Sequence, residues 1–403
     1  MISLKRHEPL LTPESDVRTR IQALQSTLQK KEIHLAWFDH PADLAYFTGS
    51  AQKATLLVPA EGDPLYFVKK GVQRAVFESP LNVQPFPGRK GLAGILFNML
   101  KPNAKLGFSL DVTSAGTYVW LTHSLPDVPI SDISLDVRTQ RAVKSPWEIE
   151  QIAAAAASAD QLFEEAPDLI RPGMTELELS GAIEARMRAS GHGGVMRIRG
   201  QGADLVILTV VSGDAALYPT NFDGPSGGEG PFPSAPAGAG WKRIQKGETV
   251  LVDMVTSHNG YFSDQTRIFF LGGQVPELVQ QTHTFCLKVL QKLEEAFRPG
   301  QICSDIYNTV DRWAADHNPP EGFMGFGENR VKFFGHGVGL ELDEFPIIAD
   351  RMDLALAPGM VIAAEPKAYL PGVGGVGVEN TYVITDSGCK SLGTKPLEIV
   401  PIA

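Results

Sequence analysis

The sequence predicts an α+β protein of two domains, a small α/β domain followed by a larger one made of two duplicated α/β halves. Three observations carry this. The chain has 403 residues, more than one domain usually holds. Short apolar strands alternating with helical stretches give way to a strong helix start at Ser145-Pro146-Trp147-Glu148. An Arg-Pro-Gly segment at 171–173 returns at 298–300, each time between two helical stretches.

The first domain is expected over 1–137. His34–Phe38, Ala54–Val58 and Pro64–Val68 read as strands, the last after the turn-prone Gly62-Asp63, and Pro41–Tyr46 reads as a short helix. A boundary follows at 138–144, and the second domain is expected over 144–403. At its entry Ser145 can cap the Glu148 amide, Glu148 can reach back to Ser145, and Pro146 sits where a missing N–H costs nothing. An alanine-rich helix then runs to about Ile170. In both Arg-Pro-Gly segments an acid and an aliphatic follow at matching offsets, as in Glu178-Leu179 and Asp305-Ile306. Duplication of this kind sets equivalent strands side by side with a cleft between the halves. Asp223–Gly240 is dense in Gly, Pro and Ser; its composition favours a solvated flexible loop over a lid.

Composition bounds the function. Hydrophobic residues make up 43% and charged residues 20%, as in a globular protein with ample core. With 36 Lys and Arg against 46 Asp and Glu, the net charge of −10 argues against nucleic acid as a partner. The three cysteines, Cys286, Cys303 and Cys389, form no C-x-x-C pair and fit a reducing compartment. The opening residues Met1–Glu8 lack the apolar core of a signal peptide, and no run is apolar for long enough to span a membrane. A cytoplasmic protein with no membrane partner is expected.

The chemistry concentrates in two hairpins and a glycine-rich segment. Glu248–Val255 reads as a buried strand interrupted by Asp253; Asn259-Gly260 is a turn signal; Tyr261–Leu271 returns carrying Asp264. With a two-residue turn, His258 faces Tyr261 and Val255 pairs with Asp264. Asp253 and Asp264 then share a face as diagonal neighbours. Two buried carboxylates about 4 Å apart repel by roughly 4 kcal/mol at an effective dielectric near 20. A proton or a cation between them removes that cost; otherwise one of the two is a cap or a surface residue. A second hairpin repeats the pattern: Met360–Glu365 ends in a carboxylate, Pro371–Gly375 turns, and Val376–Thr385 returns with Glu379, so Glu365 and Glu379 meet across Gly372. In Phe334-Gly335-His336-Gly337-Val338-Gly339-Leu340 the glycines leave His336 as the only polar side chain. A lone histidine is more often a satisfied core residue, but four candidate carboxylates favour a ligand. His123 and His283 have no such setting. One imidazole with Asp253, Asp264, Glu365 and Glu379 is a hard, oxygen-rich set suited to two divalent ions, Mn, Co, Fe or Zn.

These segments resemble the pita-bread metallopeptidase family, which includes Xaa-Pro aminopeptidase, Xaa-Pro dipeptidase (prolidase), methionine aminopeptidase and the metal-free creatinase. Asp39–Gly49 resembles the creatinase/prolidase amino-terminal domain, and Lys144–Glu148 the family's entry into its catalytic domain. Val252-Asp253, Ser263–Arg267, Gly335–Leu340, Glu365-Pro366 and Gly374–Glu379 match its ligand segments. The resemblance implies a pita-bread catalytic domain in which Asp253 holds one metal, His336 and Glu365 serve the other, and Asp264 and Glu379 bridge. Glu365 would also be the general base. It further implies a homodimer. The chain departs from prolidase-like members at three places: Thr220 and Asp343 stand where they have histidines, and Gly377 where they have an arginine. Asp343 could act as a base or hold a cationic group.

The resulting expectation is a dinuclear metal-dependent hydrolase of the Xaa-Pro aminopeptidase or dipeptidase type, acting on short peptides. The alternatives are a hydrolase or lyase for a small non-peptide substrate, ectoine-like or betaine-like, and a non-catalytic binding module on the same fold.

Overall fold

The computed structural model describes residues 10–100, 103–200 and 206–403; the polar opening stretch Met1–Glu8 lies outside the described residues. The chain divides into two compact units, Met1–Gln140 with Arg199–Gln201, and Arg141–Ile198 with Gly202–Ala403.

The first unit holds strands β1 (Leu35–Phe38), β2 (Ala54–Pro59), β3 (Leu65–Val68), β4 (Val83–Pro85), β5 (Leu106–Phe108) and β6 (Ile130–Asp132) in one sheet of order β4-β3-β2-β1-β5-β6. Its helices are α1 (Glu14–Lys30), α2 (Pro41–Thr48), α3 (Val72–Glu78), α4 (Gly88–Met99) and α5 (Ala115–Ser124); α6 (Ser134–Ala142) carries the chain into the second unit. The strands and the short helix expected from the sequence are β1, β2, β3 and α2, each within two residues of its expected ends. All four residues of β1 are buried, as in a sheet covered on both faces. On one face Trp37, Leu57, Phe67 and Phe108 pack with Leu92 and Leu96 of α4 and Leu121 of α5.

The second unit has two halves with matched parts. The first contributes α7 (Pro146–Glu165), α8 (Glu176–Ala189) and strands β7 (Leu208–Ser212), β8 (Thr249–His258) and β9 (Tyr261–Leu271). The second contributes α9 (Glu277–Ala296), α10 (Cys303–Asp316), β10 (Phe333–Gly337), β11 (Glu344–Ala349), β12 (Val361–Ala364), β13 (Lys367–Leu370), β14 (Gly374–Gly377), β15 (Asn380–Ile384) and β16 (Cys389–Ser391); β17 (Val400–Ile402) returns to pair with β9. Helices α7 and α9 are each 20 residues long, and α8 and α10 each 14. Gly173 and Gly300 both take φ +85°, and each donates its N–H at 2.8 Å, to Ile244 O and Leu356 O. These equivalences support the duplication read from Arg-Pro-Gly.

The local signals account for the start of the unit. Ser145 and Glu148 form the reciprocal capping box, with Glu148 N to Ser145 Oγ at 3.3 Å and Ser145 N to Glu148 Oε2 at 3.0 Å. Asn259 (φ +49°) and Gly260 (φ +84°) make the two-residue turn of β8–β9, so His258 faces Tyr261 and Val255 faces Asp264. The four-stranded sheet of order β17-β9-β8-β7 meets the five-stranded sheet of order β11-β10-β12-β15-β16 where Thr266 and Glu379 exchange backbone hydrogen bonds, at 3.2 and 3.4 Å.

Two expectations need correction. The second hairpin is not one continuous ladder. It breaks at Glu365-Pro366, so β12 pairs with β15 while β13 pairs with β14 in a separate two-stranded sheet. Both ladders are centred on Gly372, which keeps Glu365 opposite Glu379. Asp223–Gly240 is not a free solvated loop either: its glycines at 224, 227, 228, 230, 238 and 240 are buried. They are needed for close backbone approach, since a Cβ on Gly227 would lie 2.2 Å from Tyr218 O.

Candidate metal centre

Five polar side chains from separate segments converge where the two sheets meet. Asp253 on β8 and Asp264 on β9 come from the first half. His336 on β10, Glu365 after β12 and Glu379 before β15 come from the second. Asp264, His336, Glu365 and Glu379 are all buried.

The tautomer of His336 follows from its neighbours. Its Nδ1 faces Gly337 O at 3.1 Å, Leu342 O at 3.2 Å and Asp343 Oδ1 at 3.4 Å, three acceptors that require a proton on Nδ1. That leaves the Nε2 lone pair aimed at Asp264 Oδ2 and Glu365 Oε1, both at 3.8 Å, and at Glu379 Oε1 at 3.9 Å. A lone pair facing three carboxylates at these distances leaves room between them for a cation. Donor atoms of Asp264, His336 and Glu379 lie within 4.8 Å of one another. Asp264 Oδ1 and Glu379 Oε1 are buried with no hydrogen-bond partner. A hard divalent ion satisfies these orphaned oxygens and the imidazole together, so the residues fit a metal at this pole.

The opposite pole holds a residue that the sequence reading overlooked. Lys367, the first residue of β13 and 1% exposed, donates from Nζ to Glu379 Oε2 at 2.8 Å, Glu365 Oε2 at 2.9 Å and Asp253 Oδ2 at 3.0 Å. Glu365 and Glu379 therefore divide their oxygens, Oε1 toward His336 and Oε2 toward Lys367. Thr266 Oγ1 adds a hydrogen bond to Glu379 Oε2 at 2.9 Å, and Ser226 Oγ one to Asp253 Oδ2 at 3.3 Å. Tyr369 OH in turn donates to Ser226 Oγ at 3.1 Å. Two features of the sequence pointed to Lys367: it is the one cation in the apolar run 361–370, and it stands two residues after Glu365, on the same side of an extended chain.

The charge balance is uneven. Burial alone would lower the Lys367 ammonium, but Asp253, Glu365 and Glu379 outweigh it and hold the group well above its ordinary value. Burial raises the Asp264 carboxyl well above the usual range, and Glu379 and Asp253 add to that. Burial likewise raises Glu379, to about 7, with Lys367 offsetting part of the rise and Glu365 and Asp253 adding to it. Burial opposes a charge on His336, yet Asp343, Glu365 and Glu379 raise it. The Lys367 pole is matched. The His336 pole is short of positive charge, which is the condition a metal relieves.

The three departures from the prolidase-like pattern also have places. Thr220 lines the cavity, but its hydroxyl is engaged with the Phe222 backbone at 3.3 Å in both directions. Asp343 faces His336 Nδ1, where it positions the imidazole. Gly377, directly across from Lys367 in the β13–β14 ladder, has φ +124°, and a Cβ there would lie 2.5 Å from Pro366 O, so this backbone accepts no side chain. His283, which has no ligand-like setting in the sequence, is buried and ties Gly377 N at 3.2 Å to Leu397 O at 2.7 Å. The cavity over the five residues has a volume of about 60 Å³, and Gly224, Pro225 and Ser226 of the glycine-rich stretch form part of its wall.

Comparison with known proteins gives the family of the chain. The profile of Metallopeptidase family M24 matches residues 150–386, and that of the Creatinase/Prolidase N-terminal domain matches residues 20–143. The chain is 26% identical to the Xaa-Pro dipeptidase of Pyrococcus furiosus, over 95% of this chain and all of that one. It is equally similar to the Xaa-Pro dipeptidase of Lactobacillus helveticus, over 95% of this chain and 99% of the relative. Among solved structures, the prolidase of Pyrococcus horikoshii OT3 superposes with a TM-score of 0.79 at 23% identity, over 95% of this chain and all of that one. The X-Pro aminopeptidase of Thermotoga maritima MSB8 gives 0.78 at 22%, over 95% of this chain and 99% of that one.

Proposed function

Since the chain belongs to Metallopeptidase family M24 and is a hydrolase of that family, we propose that it cleaves the N-terminal residue from short Xaa-Pro peptides at the site built around His336. The observation that carries this reading is the His336 Nε2 lone pair, turned to three buried carboxylates at 3.8–3.9 Å with Nδ1 fully engaged behind it. Asp264, His336, Glu365 and Glu379 would hold a divalent ion there, Mn, Co, Fe or Zn. When bound, such an ion polarises a scissile carbonyl and brings the pKa of an attacking water toward neutrality.

The chain's own residues supply the rest. Glu365 presents one oxygen to the His336 pole and has the other fixed by Lys367, which orients it to take a proton from water at the cavity. Thr266 and Lys367 fix Glu379 in the same way. Asp343 and the two carbonyls hold the imidazole in one tautomer. The relatives named Xaa-Pro dipeptidase align along almost their whole length, which makes Xaa-Pro dipeptides the first substrates to test. A homodimer is part of the same proposal, and light scattering on the purified chain tests it.

A second reading, a small non-peptide substrate, is favoured by the residues that depart from the prolidase-like pattern: the Thr220 hydroxyl is engaged with the Phe222 backbone, and no side chain is possible at Gly377. Purified protein loaded with Mn²⁺ or Co²⁺ and assayed against Xaa-Pro dipeptides, Xaa-Pro-Xaa peptides and betaine-like compounds separates the two. Chelator-sensitive release of the residue before proline supports the peptidase; metal-dependent turnover of the small compounds alone transfers the site to the second reading.

A further inference from the structure

Four carboxylates on apolar strands call for neutralisation at two poles, and the chain provides one of the cations itself. Lys367 Nζ lies within 3.0 Å of three of the four, Asp253, Glu365 and Glu379, from a side chain that is 1% exposed. Asp253, like Glu365, falls outside the trio of donors that includes His336, but Glu365 Oε1 still lies 3.8 Å from Nε2. Asp253 Oδ2 is met by Lys367 and by Ser226. The remaining unsatisfied oxygens, Asp264 Oδ1 and Glu379 Oε1, belong to two of the side chains that surround the His336 Nε2 pole.

We propose that Lys367 is a built-in replacement for a second metal ion, so that the centre takes a single divalent cation, held by Asp264, His336, Glu365 and Glu379, with the ammonium closing the Asp253 side. Charge alone does not set the count: one divalent ion and one ammonium leave the four carboxylates one charge short, and two ions with the ammonium exceed them by one. Sterics carry it. An ion bound by Asp253, Glu365 and Glu379 would occupy the point where Nζ already lies, within 3.0 Å of all three carboxylates, and that lysine is 1% exposed. This inference rests on the proposed metal site but not on its substrate.

The test is a metal count on the whole chain. Protein dialysed against excess Mn²⁺ should carry one ion per chain by elemental analysis and show the electron paramagnetic resonance of an isolated Mn²⁺. The folded Lys367→Ala variant should carry two, with the spectrum of an exchange-coupled pair. Two ions in the wild-type chain overturn the proposal, as does none. A folded Lys367→Ala that still takes only one overturns the claim that the ammonium stands in an ion's place. If Lys367→Ala does not fold, the wild-type count and spectrum decide alone. A wild-type chain with one ion and no hydrolysis of Xaa-Pro dipeptides sinks the peptidase reading and leaves this one standing; two ions with hydrolysis does the reverse.

Discussion

The two halves of the catalytic unit start from one plan and end differently. In the first, β8 and β9 form an unbroken antiparallel ladder from Thr249 to Phe270, closed by Asn259-Gly260, and it delivers Asp253 and Asp264 from adjacent strands. In the second, the corresponding ladder is broken by Glu365-Pro366. Pro366 has no N–H to give, the strand shifts its pairing to β14, and the residue after the break, Lys367, turns its ammonium onto the carboxylates of both halves. Duplication therefore supplies the carboxylates, and the interruption of one copy supplies a cation to balance them. A repeated framework can diverge in charge without losing its register.

The largest expected effect falls on the first half. Asp264→Ala removes a carboxylate from the His336 pole only. Metal affinity and hydrolysis should each drop by more than about 100-fold, because losing even a group that merely orients a ligand costs about 10–100-fold. Apo stability should hold or rise, since burial and the neighbours Glu379 and Asp253 already hold this carboxyl well above its ordinary range. Metal titration and urea unfolding in chelator check the two halves of that statement. Retained metal would remove Asp264 from the centre.

Lys367→Met should do the opposite. It keeps the bulk of the stem and deletes the charge, leaving Asp253, Glu365 and Glu379 without their shared donor. Breaking a buried pair from one side costs about 3–5 kcal/mol, so unfolding in chelator should shift by that amount. A loss under about 1 kcal/mol would mean that water reaches the carboxylates and that the ammonium contributes little.

Legibility from the sequence followed locality. The β8–β9 register could be counted from Asn259-Gly260, because a two-residue turn fixes every pair above it, and Val255 does face Asp264. The Ser145–Glu148 box and the Arg-Pro-Gly echo were equally local. What could not be read depends on contacts between segments far apart in the chain. Lys367 meets Asp253, more than a hundred positions away, only because the strand breaks at Pro366. The glycines of 224–240 read as freedom but serve close packing, since an open loop and a tightly folded one draw on the same residues. Asp343 reads as a candidate base; it lines the cavity and also lies 3.4 Å from His336 Nδ1, a contact that no local pattern announces.

The halves also differ in the pH response of their buried glutamates. Burial would raise Glu344, at the start of β11, but Arg141 and Lys144 hold it at about 2, below its ordinary 4.5. Its folded value is depressed, so its contribution is fully present above pH 4.5 and is lost as the pH falls toward about 2. That contribution is on the order of 3 kcal/mol, at about 1.4 kcal/mol per pH unit. Glu176, at the start of α8, has the opposite sign. Burial raises it, despite hydrogen bonds from Gly240 N, Ser212 N and Ser212 Oγ. Its contribution is present below 4.5 and is lost as the pH rises through the raised value. Urea midpoints across pH should show Glu344→Gln flattening the acid limb and Glu176→Gln the limb above it. The same limb flattening in both variants would defeat the contrast.

The smallest effect is the sharpest test of equivalence. Gly173 and Gly300 share φ +85°, each donates its N–H to a backbone carbonyl at 2.8 Å, and a Cβ on either meets nothing within 4 Å. An alanine at either place therefore meets only the left-handed backbone penalty, about 1–2 kcal/mol, with no steric clash added. Gly173→Ala and Gly300→Ala should cost the same within a few tenths of a kcal/mol, and the double variant should cost their sum, because the two turns share no partner. Unequal costs would mean that one turn relaxes where its counterpart cannot. The duplication would then be a likeness of chain path and not of mechanics.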